Sequence, residues 1–466
     1  MRSDRNCYSG FYFVVMNTEF TQHFTFKKLI KFVYPSVIMM VFTSVYGVVD
    51  GIFVSNFAGQ SAFAAVNLIM PVLMGFAAVG FMLGTGGGAL VAKILGEDER
   101  KRANGIFSLL IYVTVFLGLA LTAVGEFTLE PLAKLLKAEG QTLEDCMLYG
   151  AINLGGLTAF MLQNVFQSFF PVAEKPKLGL AFIVSAGLTN AALDALFIAG
   201  FKWGLVGAAL ATVIGQCVGG IAPVFYFIFY RKGILKLGSP LLEFKPVIKA
   251  CVNGSSEMMT QLSLSIVNIL YNYQLMLLIG ENGVSAYGVI MYISFIFCSV
   301  FIGYSIGVAP IIGFNFGAKN KPELNSVLKK SLVIIGITSA VMLGAALALN
   351  YPLSYLFVGK YPELFEMTRR GFFICSFIFG IMGFNIFGSA FFTALNNGLV
   401  SAIISFLRTL VFQVICIFAL PAIFGLDGVW AANVAAELMS IIVTVGFILG
   451  LGKRYGYLNS SKKTNA

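Results

Sequence analysis

Twelve stretches of this chain are apolar over lengths that cross a lipid bilayer, and any fold has to accommodate them first. They run over roughly 29–55, 63–95, 105–128, 145–172, 178–200, 204–230, 249–279, 284–316, 328–350, 367–393, 399–424 and 426–451. A hydrocarbon core about 30 Å thick takes a helix of about 20 residues. Inside it, every backbone N–H and C=O needs a partner within the protein, which leaves helices or a closed barrel. Barrel strands alternate apolar and polar residues, and these stretches do not. Composition agrees: 58% of the 466 residues are hydrophobic and 11% charged, against about 25% charged in a soluble domain. The sequence predicts an all-α polytopic membrane protein with twelve transmembrane helices.

The net charge of +10 could suggest a nucleic-acid partner, but its distribution follows topology. Of the 31 lysines and arginines, Lys134, Lys137, Lys202, Lys360, Arg369 and Arg370 fall on one side of the predicted spans, Arg408 falls inside one, and the rest fall on the other side. Basic residues gather on cytoplasmic loops. Both termini are therefore expected in the cytoplasm, the chain in the cell (inner or plasma) membrane, and no nucleic acid is expected as partner. The stretch "FYFVV" is too short for a cleavable signal, and Met16 is a second candidate start. The seven cysteines show no paired metal spacing, and Cys217, Cys251, Cys298, Cys375 and Cys416 lie within or beside spans; no disulfide framework is expected.

The chain is also written twice. Gly59, Gly86, Gly96 and Asn104 meet Gly280, Gly307, Gly317 and Asn325 at one constant offset of 221 (280 minus 59). Met161, Asn164 and Phe166 meet Met382, Asn385 and Phe387, and Gly204, Leu205 and Gly207 meet Gly425, Leu426 and Gly428, without a gap. Two halves of six spans each run in the same direction, as parallel repeats. The expected division is a tail over 1–28, a first lobe over 29–230, a linker over 231–248, a second lobe over 249–452 and a tail over 453–466. Carriers built this way place their site between the halves near the midplane. An ion channel is the alternative from another class.

The repeat isolates two acids. Asp50 meets Tyr271 and Asp194 meets Ile415, so the acids belong to the first half alone. At 1.5 Å per residue, Asp50 lies roughly 27 Å and Asp194 roughly 24 Å from the inner face, with Thr212 roughly 12 Å from the outer one. Asn190 and Asp194 share a helix face, as do Tyr46 and Asp50, each pair being four residues apart. The expectation is a polar pocket of Asp50, Asn190, Asp194 and Thr212, with Tyr46 close by, that holds a proton or a sodium ion on hard oxygen ligands. Ionisable groups within a membrane are costly and are usually functional. The alternative is that each only hydrogen-bonds a neighbouring helix.

These residues resemble the first, second, fifth and sixth spans of the MATE family (multidrug and toxic compound extrusion): P-x(10)-Y-x(3)-D from Pro35 through Tyr46 to Asp50, G-x(7)-N-x(3)-P from Gly59 through Asn67 to Pro71, and "NAALDALFIAGFKWGLVGAALATVIGQ" over 190–216. Ala195 stands where the family commonly has proline. The resemblance runs from about residue 26 to 452. It implies two six-helix lobes around a V-shaped cleft, and an antiporter that exports organic cations and drugs against protons or sodium. In the branch with an acidic amino-terminal lobe, the ion-coupling roles fall on Asp50, Asn190, Asp194 and Thr212, and Pro35 is the bending point of the first span. A lipid-linked precursor flippase of the same fold group is the alternative.

Other residues carry weaker signals. Glu257 could meet a cationic substrate or cap the start of span 7. Gln163, Asn164 and Gln167 could line the cleft or could as easily bond between helices. Arg408 and Glu437 come out at similar depth and are expected to form a structural ion pair. "GTGGGALVAKILG" from Gly84 lacks the G-K-[ST] ending of a phosphate loop and is expected to serve close helix packing. No ATP site is expected, and the lone His23 excludes a multi-histidine metal site. The absence of H-E-x-x-H and G-x-S-x-G argues against a hydrolase. The reading is of a transporter without cofactor, working in the lipid bilayer on small molecules.

Overall fold

The computed structural model describes residues 19–54, 60–136, 138–230 and 233–457. The first half comprises α1 (Phe26–Phe53), α2 (Gln60–Gly96), α3 (Arg100–Leu135), α4 (Gly140–Gly155), α5 (Leu157–Val172), α6 (Pro176–Asp194) and α7 (Gly204–Phe229). The second comprises α8 (Phe244–Ile279), α9 (Glu281–Gly317), α10 (Lys321–Ala348), α11 (Asn350–Val358), α12 (Pro362–Ser376), α13 (Met382–Ala394), α14 (Gly398–Phe406), α15 (Phe412–Phe424) and α16 (Leu426–Tyr455). Ten apolar spans and two bent pairs give twelve crossings among the described residues.

The fourth and tenth spans are not single helices. α4 and α5 meet at 55°, and the segment Pro362–Gly380 meets α13 at 42°. The first bend falls at Gly155–Gly156, where no side chain holds the turn in register; the second follows a 3-10 turn at Phe377–Gly380. The fifth span of each half carries a π-helical turn, at Ala195–Gly200 and at Leu407–Val411. α1 runs unbroken through Pro35.

The duplication is visible in the packing. A Cβ on Gly96 would lie 2.0 Å from the Phe314 carbonyl oxygen, and one on Gly317 would lie 2.0 Å from that of Lys93. These are the same contact seen from both sides of a pseudo-twofold axis (314 minus 93 and 317 minus 96 are both 221). Gly86 likewise meets Ala250 and Gly254 on α8, while its repeat partner Gly307 meets Val33 and Ser36 on α1. The glycine-rich run from Gly84 thus lets α2 lie backbone to backbone against α8 and α9, as small residues do in membranes. The halves are closed on each other at the end that bears the basic loops, called here the basic face. The turns that lead into α3 and α10 repeat too, each through a left-handed residue, Asp98 (φ 63°) and Lys319 (φ 55°).

The expected tail over 1–28 is part of the fold from Glu19 onward. Phe20 and Phe24 are buried. The Phe20 ring packs against Phe32 of α1 and Phe314 of α9, with centroids at 5.7 and 5.3 Å. Its N–H donates to Glu174 Oε1 at 3.2 Å. The Phe24 N–H donates to Glu323 Oε1 at 2.9 Å, and His23 Nδ1 lies 2.6 Å from Glu323 Oε2. Residues 19–24 therefore strap the first half (Glu174) to the second (Glu323) across the basic face.

Candidate ion-coupling site

Two glycines set the interior of the first half. On α6, a Cβ at Gly187 would meet Phe42 at 2.5 Å and Tyr46 at 3.1 Å; on α7, one at Gly215 would meet Asn190 Cβ at 3.0 Å. Their absent side chains draw α1, α6 and α7 together around the last turns of α1 and α6. Asp50, Asn190 and Asp194 are buried there, at 9%, 4% and 0% exposure. The Asp50 carboxylate faces Asp194, Asn190 and Thr212, as depth and spacing in the sequence anticipate. Tyr46 faces Asp50 and Gln163.

What distinguishes this chamber is a deficit of partners. Asp50 Oδ1, both carboxylate oxygens of Asp194, Asn190 Nδ2, Thr212 Oγ1, Gln163 Oε1 and the Tyr149 hydroxyl are buried without a hydrogen bond. Buried polar groups in proteins are nearly always paired, and two unpaired carboxylates in a low-dielectric interior are among the least favourable arrangements. A proton on one acid, or a small hard cation between the two, relieves it. Both chemistries suit the donor set of two carboxylates, an amide oxygen and hydroxyls.

Tyr149 and Asn153 on α4 were not singled out from sequence. Tyr149 is fully buried and faces Asp50, Asp194, Asn153 and Thr212. A tyrosine in an apolar run reads as core, and only the bend at Gly155–Gly156 turns α4 toward the acids. Gln163 lies against Gly219 of α7 and faces Tyr46 of α1, between helices at the edge of the chamber. Asn164 and Gln167 are buried on the same helix. The π-turn begins at Ala195, whose N–H donates to the Ala191 and Ala192 carbonyls, bonds that a proline could not make.

The second half answers the same location differently. Tyr271, the repeat partner of Asp50, donates its hydroxyl to Gln413 Oε1 at 3.2 Å. Gln413 Nε2 donates to Oδ1 of Asn433, the partner of Thr212, at 2.6 Å. This counterpart is neutral and its members saturate one another. Elsewhere in that half, Arg408 Nε lies 3.5 Å from Glu437 Oε1. Asn385 Nδ2 donates to Glu437 Oε2 at 2.6 Å and Thr444 Oγ1 to Asn385 Oδ1 at 2.9 Å. Glu257 lies within electrostatic reach of Arg408. It cannot cap its helix: α8 starts at Phe244, well before it, with Glu243 at the cap position.

A twelve-crossing bundle of two parallel halves, one with an acidic chamber and one with a neutral copy, is the architecture of a membrane transport protein. The chain belongs to the MatE family, whose model matches residues 35–196 and 257–419. It is 23% identical over 441 residues to the multidrug export protein MepA of Staphylococcus haemolyticus, covering 93% of this chain and 96% of that one. To the Staphylococcus aureus protein of that name it is 26% identical over 432 residues, covering 89% and 92%. Among solved structures, a MATE protein in complex with MaL6 superposes with a TM-score of 0.89 at 22% identity, covering 95% of this chain and 100% of that one. An outward-facing multidrug resistance MATE transporter gives 0.87 at 23%, covering 94% and 98%.

Proposed function

We propose that this protein is a secondary antiporter that exports organic cations and other drugs from the cell in exchange for protons or sodium ions, with Asp50 and Asp194 as the ion-coupling pair. The observation that carries this reading is the unpartnered acid pair in the first half beside its saturated neutral copy in the second. A stable scaffold has no use for such a pair; an ion that enters and leaves does. Asn190, Thr212 and Tyr149 orient the carboxylates and complete an oxygen shell for sodium, or accept and donate around a protonated acid. Tyr46 and Gln163 close the chamber toward α5. Pro35, without an N–H, lets α1 bend when the charge of Asp50 changes, and the halves then exchange access between the two sides. The basic face is cytoplasmic on this reading, and both termini lie there.

The relatives' names support drug export as the cargo class. The flippase alternative is less favoured, because Glu437 neutralises Arg408, the one basic residue deep in a described span. The test is uptake of a cationic dye by liposomes holding the purified protein, with a proton or a sodium gradient imposed separately. One gradient should drive transport, and Asp50→Asn or Asp194→Asn should abolish it at unchanged protein level. Full activity in both variants would refute the assignment.

A further inference from the structure

The basic face carries an open cavity of about 220 Å³ where the two halves meet. Lys93 and Arg102 enter it from the first half and Lys245 and Lys249 from the start of α8, with Glu97 and Glu243 as the only acids lining it. Glu97 is partly engaged with Lys93 at 3.7 Å, and Arg102 pairs with Glu99 outside the cavity. α3 and α8 both begin here, and neither has a side-chain cap on its first N–H groups. Free N–H groups at a helix start favour an anion.

The pseudo-twofold axis supplies the decisive comparison. Lys93, Arg102 and Lys245 correspond to Phe314, Glu323 and Phe24, each 221 positions away. At that mirrored place the chain fills its own gap: Phe24 is 3% exposed, and Phe20 lies on Phe314. On the cationic side none of the described residues fills the corresponding space. Beside it, Phe244, Ile248 and Val252 form one exposed stripe along α8, at 83%, 57% and 55% exposure. Lys245 and Lys249 stand one residue along from that stripe. A cationic cavity joined to an exposed apolar stripe on a membrane-spanning helix is complementary to an amphiphile with an anionic head.

We propose that this cavity binds the phosphodiester headgroup of an anionic phospholipid, whose acyl chains lie along Phe244, Ile248 and Val252. The headgroup bridges α2 and α3 of one half to α8 of the other.

The full-length protein is placed in nanodiscs of phosphatidylcholine with or without phosphatidylglycerol, and retained lipid is counted by native mass spectrometry after release into detergent. The wild type should keep phosphatidylglycerol selectively. Lys245→Ala/Lys249→Ala should lower that retention roughly 30-fold, from two lysines at about 1 kcal/mol each near an anionic surface. Lys177→Ala/Lys329→Ala, which removes exposed lysines elsewhere on the same face, should not. Thermal unfolding in phosphatidylcholine alone checks the fold of each variant, and Arg102→Gln repeats the test from another helix. Equal retention in all variants would overturn the site. Displacement of the lipid by millimolar glycerol phosphate would overturn the lipid assignment in favour of a soluble phosphate.

Discussion

The backbone contacts of Gly96 and Gly317 allow a test of how the halves close. In Gly96→Ala the new methyl would start 2.0 Å from the Phe314 oxygen, while ordinary contact begins at 3.4 Å. The listening partner is a carbonyl in a helix, which cannot rotate aside as a side chain can, so α2 and α9 must part locally by about 1.4 Å (3.4 minus 2.0). Overpacking of this kind costs about 1–3 kcal/mol. If the halves alternate as proposed, the cost falls on the state closed at the basic face and shifts the closed-to-open ratio about 5–150-fold. The assay is a pulsed electron resonance distance measurement between nitroxides at Lys177→Cys and Lys329→Cys, exposed positions near the starts of α6 and α10, with native cysteines replaced. Gly96→Ala should add a longer-distance population. Gly317→Ala should add the same one, since it removes the same contact from the other side. Gly344→Ala, where nothing lies within 4 Å, should leave the distances alone. If Gly96→Ala leaves the distribution unchanged, or the two symmetric variants differ, the closed contact does not govern the equilibrium.

Further outcomes follow from the buried charges and the strap. Arg408→Ala should destabilise the protein by about 3–5 kcal/mol, because it leaves the Glu437 carboxylate buried without its countercharge; Arg408→Met/Glu437→Leu should recover most of that loss in thermal unfolding. Burial pushes the Glu174 carboxyl up to about 7, partly opposed by the Phe20 N–H and raised further by Glu19 nearby. The docked strap therefore holds a proton that the undocked one releases, so docking is strongest at acid pH and weakens as pH rises through about 7. A nitroxide at Gln22→Cys should become more mobile as pH rises from about 5 to about 7 and level off above that, and Glu174→Gln should remove that rise while keeping an acceptor for Phe20. Phe20→Ala should raise the mobility at every pH.

Much of this architecture is legible in the sequence because membranes impose simple rules. Apolar length gives the spans, and a gapless repeat from Gly59 to Gly207 gives the halves. Helical rise brings Asp50, Asn190, Asp194 and Thr212 to within about ten ångströms of one level without any knowledge of packing. Three things escape that logic. Tyr149 reaches the chamber only because α4 bends away from α5, and a bend at Gly155–Gly156 has no periodicity to betray it. The strap over Glu19–Phe24 is too short and too polar to register as an element, and its value lies in contacts hundreds of residues away at Glu323. The cationic cavity depends on which loops meet across the pseudo-twofold axis, which charge counting by side does not resolve.

The saturated trio of Tyr271, Gln413 and Asn433 has a mechanical consequence. On the proposed coupling, a trio whose members already satisfy one another gains nothing from an ion and works as an abutment. The stroke then belongs to the first half, where one charge can be made or lost. A duplicated molecule of this kind drives with a single piston, and its thrust is set by how firmly the passive copy holds still.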